Sequence, residues 1–273
     1  MNIRDKIAEY FEKMNIEFYS VLSYGDCNVC SPHIIEREGF APRSVIVYLL
    51  PYYGGETVNL SRYAASRDYH IALATVNAGL FDLIKSCYPE AMLKGYGDHS
   101  PINECHAALI GGLGILGDNG LLINQKYGSY VFVGDMITDI PIEDMGVDEK
   151  QEIRHCHRCG ACKEACPTGI LRGESADCLS AVTQKKGELS PAEEELMIKY
   201  NTVWGCDLCQ CVCPYNRNPI ITPIPFFKED RISHLTCDVL SAMDKEQFKE
   251  RAFAWRGRKT VERNVALLEK QVK

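Results

Sequence analysis

Nine of the fourteen cysteines lie between positions 156 and 213, and their spacing is the strongest chemical signal in the chain. Residues 156–167 read CHRCGACKEACP, which is the C-x2-C-x2-C-x3-C-P spacing of bacterial ferredoxins. Three thiolates on one tight loop can reach three irons of a cubane cluster, and the x3 step turns the fourth thiolate toward a second cluster. Residues 206–214 read CDLCQCVCP, which lacks the middle step. One ligand must therefore come from outside the two motifs.

Cys178 lies between the two motifs and is the natural donor of the missing ligand. The predicted ligands of one [4Fe–4S] cluster are Cys156, Cys159, Cys162 and Cys213. The predicted ligands of the other are Cys166, Cys178, Cys206 and Cys209. Cys211 either replaces Cys213 or is a buried free thiol, and the proline after Cys213 favours the free thiol. Structural zinc is the alternative for the whole module, and the two C-P motifs with the x3 step disfavour it.

The overall composition is that of a globular protein, with 46% hydrophobic and 25% charged residues. No apolar run approaches the roughly 20 residues that span a bilayer, and the N-terminus carries no export signal. We therefore expect a cytoplasmic protein without membrane association, in which clustered cysteines bind metal rather than form disulfides. The net charge of −7 argues against a broad, non-specific hold on nucleic acid and leaves a local basic patch possible.

The predicted fold class is α+β, in three segments. A mixed α/β domain occupies residues 1–150, a ferredoxin-like module residues 151–218 and a helical tail residues 219–273. In the first segment, apolar runs predict strands at 16–22, 43–50, 91–96, 121–124 and 130–137. Helices are predicted at 66–86 and 102–110, the second ended by the glycine-rich stretch 111–120.

Asp98 lies in the segment YGDHSPI, ahead of the glycine-rich stretch 111–120. Glycines such as Gly112 and Gly114 let a backbone come close to a bulky ligand. A carboxylate ahead of such an approach site suits a general acid. Asp98 is equally consistent with a turn residue before Pro101, and the glycines with loop closures. These residues alone leave both interpretations open.

Several segments, taken in order along the chain, resemble the epoxyqueuosine reductase family. They are RYA at 62–64, RDYH at 67–70, the Asp98 segment, GLG at 112–114, the cysteine motifs and CDLCQ at 206–210. The resemblance covers nearly the whole chain and extends into the tail at 248–264. The family's usual C-terminal helical-repeat domain, which helps to hold tRNA, has no counterpart before Lys273, so we expect a short form of the family.

The resemblance implies an oxidoreductase that uses cobalamin and two [4Fe–4S] clusters to reduce the epoxide of epoxyqueuosine in tRNA to queuosine. Residues 1–150 are then the cobalamin-binding catalytic domain, and Asp98 stands at the position of the family's catalytic acid. The cobalamin contacts implied are Asp68, Tyr69, His70, Gly112, Gly114, Asn119, Asp207 and Leu208. Because no Asp-x-His-x-x-Gly motif is present, we expect cobalamin without a protein histidine ligand. The implied partners are the anticodon loop of tRNA and an external electron donor such as ferredoxin or flavodoxin.

The chain departs from the family pattern at three places. His99-Ser100 stands where the family usually has Thr-Gly, Cys105 replaces an expected basic residue and Asp118 replaces an expected lysine. Losing two positive charges weakens the case for a polynucleotide substrate. Two alternatives therefore remain, namely a related cobalamin-dependent reductase of a small molecule and an electron-transfer iron–sulfur protein without cobalamin.

The tail contains the densest basic run of the chain. Its residues are Arg251, Arg256, Arg258, Lys259 and Arg263, with Phe253 and Trp255 between them. Guanidinium groups interleaved with aromatic rings suit phosphates and unpaired bases of an RNA loop. The alternative is a solvated helix face with Trp255 packed against the cluster module.

Overall fold

The computed structural model describes residues 2–175 and 177–270, which fall into two compact units. The first unit comprises Met1–Pro51 and His70–Arg158, and the second comprises Tyr52–Tyr69 and Cys159–Lys273. These units do not coincide with the three segments expected from the sequence, because an early stretch and the tail both pack with the cysteine module. Among the described residues, no helix has both the length and the apolarity needed to cross a membrane.

The first unit is built on a four-stranded antiparallel sheet with the order β1-β2-β6-β3. Its strands, with the short pair β4 and β5, are Tyr19–Ser23 (β1), Ser44–Pro51 (β2), Leu93–Tyr96 (β3), Ile115–Leu116 (β4), Leu122–Ile123 (β5) and Val131–Thr138 (β6). Its helices are Ile3–Lys13 (α1), Pro32–Glu38 (α2), Tyr69–Cys87 (α3), Glu104–Ile110 (α4) and Ile142–Met145 (α5). The predicted strands and helices are confirmed within a few residues at their ends, whereas β4 lies inside the stretch expected to be loop.

Helices cover both faces of this sheet, which explains why all eight residues of β2 are buried. On one face, the ring of Tyr48 lies 5.4 Å from that of Phe11 in α1, and its hydroxyl donates to Asn77 in α3. On the other face, α4 packs against β1, β2 and β6. A strand covered on both sides reads as a continuous apolar run, as residues 45–50 do.

The second unit consists of short helices around the cysteine motifs. They are Ala161–Glu164 (α6), Leu179–Thr183 (α7), Pro191–Lys199 (α8), Leu208–Cys211 (α9), Cys237–Ala242 (α10), Lys245–Lys249 (α11) and Arg258–Glu269 (α12). Trp204 and Phe253 are fully buried and meet edge to face at the centre of its core. The buried amide of Asn264 in α12 donates to the carbonyls of Thr183 and Val203. The tail is therefore an integral part of the unit that carries the cysteines.

Candidate functional site

Asp98 lies in the turn between β3 and α4, in a backbone conformation that favours glycine. Its φ angle is +64°, and its backbone N–H donates a 3.0 Å hydrogen bond to Oε1 of Glu104. The carboxylate is 58% exposed, and its Oδ2 lies 3.8 Å from Nε2 of His70. Aspartate tolerates the left-handed region better than most residues, but the conformation still has a cost that surrounding contacts must offset. The turn therefore presents an acid at the surface of its unit, as a proton donor to a ligand requires.

Asp135 is a carboxylic acid buried in the sheet, and it is not among the residues expected to act at the site. It lies on β6 directly opposite Tyr96 and Val47, and it has no solvent exposure. Ser100 donates a 3.1 Å hydrogen bond to its Oδ2. Burial raises the pKa of Asp135 to about 7, against the opposing effect of hydrogen bonds from Ser100 and Glu104. A charged residue inside the apolar run YVFVGDMI was the available sequence signal.

Glu104 is the second acid of this group and was also missed. Burial, followed by the nearby charges of Asp135 and Asp98, raises the pKa of Glu104 to about 9. Interaction between the two side chains further raises the pKa of Glu104 and lowers that of Asp135, and two carboxyl groups can form a hydrogen bond only when one of them carries a proton. The first unit thus holds a surface acid, Asp98, next to a half-buried acid, Glu104, and a fully buried one, Asp135, and the pKa of each of the latter two is raised.

The expected cobalamin contacts near residue 68 fall into different units of the structure. His70 belongs to the first unit and faces the carboxylate of Asp98. Asp68 and Tyr69 belong to the second, where the backbone N–H of Asp68 donates to the carbonyl of Glu250 and Tyr69 meets Tyr63 edge to face. The expectation that cobalamin is held without a protein histidine ligand stays a prediction. Contact of these three residues with cobalamin stays a prediction.

The glycine-rich stretch forms the β4–β5 hairpin, and the backbone conformation and contacts of this hairpin explain why Gly112, Gly114 and Asn119 stand where they do. Gly112 has a φ angle of +73°, and a Cβ on Gly114 would lie 2.6 Å from the carbonyl oxygen of Ile123. The side chain of Asn119 accepts from the backbone N–H of Leu121, which shapes the hairpin loop. These local roles account for all three residues without a ligand, so their contact with cobalamin remains a prediction.

The same hairpin holds the first cysteine of the ferredoxin motif. The backbone N–H of Cys156 donates to the carbonyl of Leu116, and its Sγ accepts a 3.3 Å hydrogen bond from the N–H of Asp118. Hydrogen bonds to cluster sulfurs tune the reduction potential of iron–sulfur proteins. Asp118, noted above as a departure from the family, thus acts here through its backbone.

The four cysteines predicted for one cluster all lie in the second unit. Cys206 is close enough to Cys178 and Cys209 for their charges to raise its pKa, although burial is the larger cause of a value of about 12. Burial raises the pKa of Cys166, but hydrogen bonds to its sulfur from the backbone N–H groups of Leu171, Thr168 and Gly169 and from the Thr168 hydroxyl outweigh it, so that the pKa is lowered. Thiols with amide donors at their sulfurs fit a cluster, whose ligands are thiolates.

The other predicted ligand set draws on both units. Cys156 is assigned to the first unit and Cys159, Cys162 and Cys213 to the second, so this set rests on its spacing alone. Across the described parts of the chain, no three His, Cys, Asp or Glu side chains converge as a single metal ion would require. Ligands of a cubane each bind a different iron, so the cluster assignment does not require such convergence.

Cys211 differs from the buried free thiol that was expected. It is exposed at the end of α9, and its Sγ accepts a 3.0 Å hydrogen bond from Nη1 of Arg62. Arg62 also pairs with Asp207, whose buried carboxylate accepts hydrogen bonds from Ser61, the N–H and guanidinium of Arg62, and Gln210. Asp207 therefore ties residues 61–62 to the cysteine module.

Leu208 begins α9 beside Asp207, and both residues line a cavity of about 190 Å³ within the second unit. The carboxylate of Asp207 already accepts hydrogen bonds from protein donors. The expected contact of both residues with cobalamin stays a prediction.

The basic run of the tail is mostly engaged within its own unit. Arg258 donates to the carbonyls of Leu240 and Met243, Arg263 to Gly187, and Arg251 to Asp230. Trp255 is instead 58% exposed, which corrects the alternative that it packs against the cluster module. Arg256 stacks on its ring with 3.7 Å between the guanidinium carbon and the ring centroid. The exposed residues of the run are therefore Trp255 and Lys259, and Arg256 is half-buried.

Comparison with known proteins gives consistent matches. Residues 155–216 match the 4Fe-4S double cluster binding domain family. An epoxyqueuosine reductase of Listeria monocytogenes is 32% identical over 258 residues, which cover 87% of this chain and 65% of that relative. The chain thus spans less than two thirds of the length of that relative.

Solved structures agree with the sequence match. A selenomethionine-labelled epoxyqueuosine reductase has a TM-score of 0.78 at 25% identity, covering 97% of this chain and 80% of that one. An epoxyqueuosine reductase solved with an epoxyqueuosine-modified tRNA-Tyr stem loop has a TM-score of 0.80 at 24% identity, with the same coverage. The expected family resemblance, the mixed helix-and-sheet fold and the 4Fe-4S cluster domain are therefore confirmed.

Proposed function

Because the chain is a relative of the epoxyqueuosine reductases, we propose that it reduces the epoxide of epoxyqueuosine in tRNA to give queuosine. The observation that carries the proposal is Asp98, an exposed acid beside Glu104 and the fully buried Asp135 in the first unit, in a chain whose second unit carries all but one of the cysteines of the two motifs. Epoxide reduction needs both electrons and protons: clusters held by the cysteine motifs would carry the electrons, and Asp98 would deliver protons.

Cobalamin and two [4Fe–4S] clusters would supply the electrons when bound, received from an external donor such as ferredoxin or flavodoxin. The predicted cysteine sets would hold the clusters, and Asp68, Tyr69, His70, Gly112, Gly114, Asn119, Asp207 and Leu208 are the residues proposed to hold cobalamin.

Asp98 is the proposed general acid. When the C–O bonds of an epoxide break under reduction, negative charge develops on the oxygen, and a positioned carboxylic acid can neutralise it by proton transfer. The turn keeps the Asp98 side chain 58% exposed, where a bound substrate can reach it. His70, 3.8 Å from the Asp98 carboxylate, would help to orient the acid.

The experiment that tests this function is an anaerobic reaction on tRNA carrying epoxyqueuosine. Protein reconstituted with iron, sulfide and cobalamin is mixed with a reductant, and the modified nucleoside is followed by mass spectrometry. Loss of one oxygen atom from the nucleoside supports the proposal. An unchanged nucleoside with fully loaded protein overturns it.

A cobalamin-dependent reductase of a small molecule is the second candidate. It is favoured by the tail, where Arg251, Arg258 and Arg263 are engaged within the protein and leave few cations for RNA. The discriminating measurement is salt-sensitive binding of an anticodon stem-loop. Cobalamin retained by a protein that does not bind RNA favours the small-molecule candidate, whereas clusters without cobalamin favour an electron-transfer protein.

A further inference from the structure

The reaction proposed above consumes two protons, whereas the carboxyl group of Asp98 holds only one at a time. An epoxide that takes up two electrons and two protons becomes an alkene and one molecule of water. Two C–O bonds break, a carbon–carbon double bond forms, and two O–H bonds are made. The electrons come from the external donor. The structure must therefore provide a second proton at the same place.

The buried acids behind Asp98 are positioned to hold that proton. The backbone N–H of Asp98 is fixed to Oε1 of Glu104 at 3.0 Å, so the acid of the turn and Glu104 cannot separate without breaking this bond. Oδ1 of Asp135 is buried without a donor from any N–H or hydroxyl group among the described residues, while Oδ2 is held by Ser100. The side chain that interacts with Asp135 is the carboxyl group of Glu104. A proton shared by the two carboxyl groups would therefore give the buried carboxylate the hydrogen bond that it otherwise lacks.

We propose that Glu104 and Asp135 hold one proton between them and pass it to Asp98, which delivers it as the second proton of epoxide reduction, an inference that rests on the proposed function. In the first step, the O–H bond of Asp98 breaks and a proton goes to the substrate oxygen. The O–H bond of Glu104 then breaks as a new one forms on Asp98. Asp98 then gives this second proton to the same oxygen, which leaves as water. After the product leaves, solvent returns one proton to Asp98 and one to the Glu104–Asp135 pair. Glu104 and Asp135 thus act through Asp98 as positioning residues.

Five titratable groups interact electrostatically with the pair. Those facing it are Asp98, Tyr24, Cys27, Tyr48 and Tyr96. Burial raises the pKa of each tyrosine and of Cys27, so these four stay neutral up to pH 9. Glu38 and Arg37 act on Tyr96 from α2, and His70 faces Asp98.

The test compares Glu104→Gln with Glu17→Gln in single-turnover reactions on an epoxyqueuosine stem-loop. A glutamine at 104 keeps an oxygen for the Asp98 N–H and an amide that can donate to Asp135, but it has no proton to release. We expect Glu104→Gln to slow the reaction about 10²-fold, at the lower end of what a positioned acid contributes. The wild-type rate should fall as pH rises from 7 to 9, and this dependence should be absent in Glu104→Gln. Glu17, which pairs with Lys126 in the same unit, should tolerate the same substitution at the wild-type rate.

Infrared spectroscopy of the resting protein gives a readout that does not need turnover. A protonated carboxyl band at pH 7 that is lost in Glu104→Gln and retained in Glu17→Gln supports the shared proton, and its absence from wild-type protein overturns it. If wild-type protein reduces the stem-loop and Glu104→Gln does so at the same rate with the same pH profile, the inference is overturned and the proposed function stands. If loaded wild-type protein fails to reduce the stem-loop, the proposed function fails, and the delivery step fails with it even where the carboxyl band is present.

Discussion

The backbone N–H of Asp98 donates a 3.0 Å hydrogen bond to the side chain of Glu104, which joins the exposed acid of the first unit to a half-buried one. This bond links a turn with a left-handed residue to the first residue of α4. Its consequence is that Asp98 has two roles, as a turn residue and as an acid. The two interpretations that the sequence left open for this residue are therefore compatible.

Replacing Asp98 by asparagine should remove catalysis and keep the fold. Asparagine tolerates the left-handed conformation and retains the N–H that donates to Glu104, so the turn is preserved. We expect cluster and cobalamin content to match wild type and single-turnover reduction to fall by about 10²–10⁴-fold. Thermal melts check the fold. Near-normal turnover per folded molecule, together with a lowered melting temperature, would show that Asp98 serves the turn alone.

The buried acids should make stability fall as pH rises. In the folded protein the pKa of Asp135 is about 7 and that of Glu104 about 9, each above its usual value. Between about pH 4 and 9 the folded state therefore binds more protons than the unfolded state, and stability that is present at low pH is lost as pH rises through this window.

Asp135→Asn tests this pH dependence through apparent melting temperatures at pH 5 and pH 9. It should reduce the fall in melting temperature between pH 5 and pH 9 by an amount equivalent to about 1–3 kcal/mol of unfolding free energy. Each kcal/mol corresponds to roughly 2–4 °C in melting temperature. An exposed substitution on α1, Glu9→Gln, serves as the control and should keep the wild-type decline. Equal declines in wild type and Asp135→Asn would contradict the raised pKa of the pair.

Iron content separates the two cysteines whose roles the motifs do not settle. Two cubane clusters correspond to about eight irons per chain. We expect Cys178→Ala to lose about four of them, because it removes a predicted ligand. Cys211→Ala is the matched control and should keep all eight, since Cys211 is exposed and bonded to Arg62. The ligand assignment is wrong if Cys178→Ala retains the wild-type iron content after anaerobic reconstitution.

RNA binding should depend on Trp255 and Arg256 rather than on the whole basic run. An exposed indole with a stacked guanidinium suits an unpaired base and its phosphate. Trp255→Ala should weaken binding of an anticodon stem-loop by about 1–3 kcal/mol, the range measured for base stacking. Arg256→Glu should weaken it at low salt, with less effect as salt rises.

Arg258→Glu should instead lower the melting temperature, because Arg258 bonds to the carbonyls that end α10. Lys249→Glu, on the exposed face of α11, is the charge-matched control. Binding that is insensitive to both Trp255→Ala and Arg256→Glu would remove this surface from the RNA interface.

The cysteine module, the family resemblance and most elements of the sheet were readable from the sequence, since each depends on local spacing. Ferredoxin motifs are short because a cluster must be wrapped by one tight loop, and strands such as β2 show themselves as apolar runs. The glycines at 112 and 114 could also be picked out in the sequence. The structural requirement for glycine at these positions became clear only from the backbone of the β4–β5 hairpin.

The acid group of the first unit depended on the tertiary structure. Asp135 meets Tyr96 only through the pairing of β6 with β3, and Glu104 reaches Asp135 only because α4 packs on that face of the sheet. Likewise, Arg258 and Arg256 are two residues apart in the same basic run, yet one caps a helix and the other stacks on an exposed ring. Spacing along a chain specifies which residues a loop can bring to one metal cluster, whereas burial and its effect on pKa are set by neighbours that are distant in sequence.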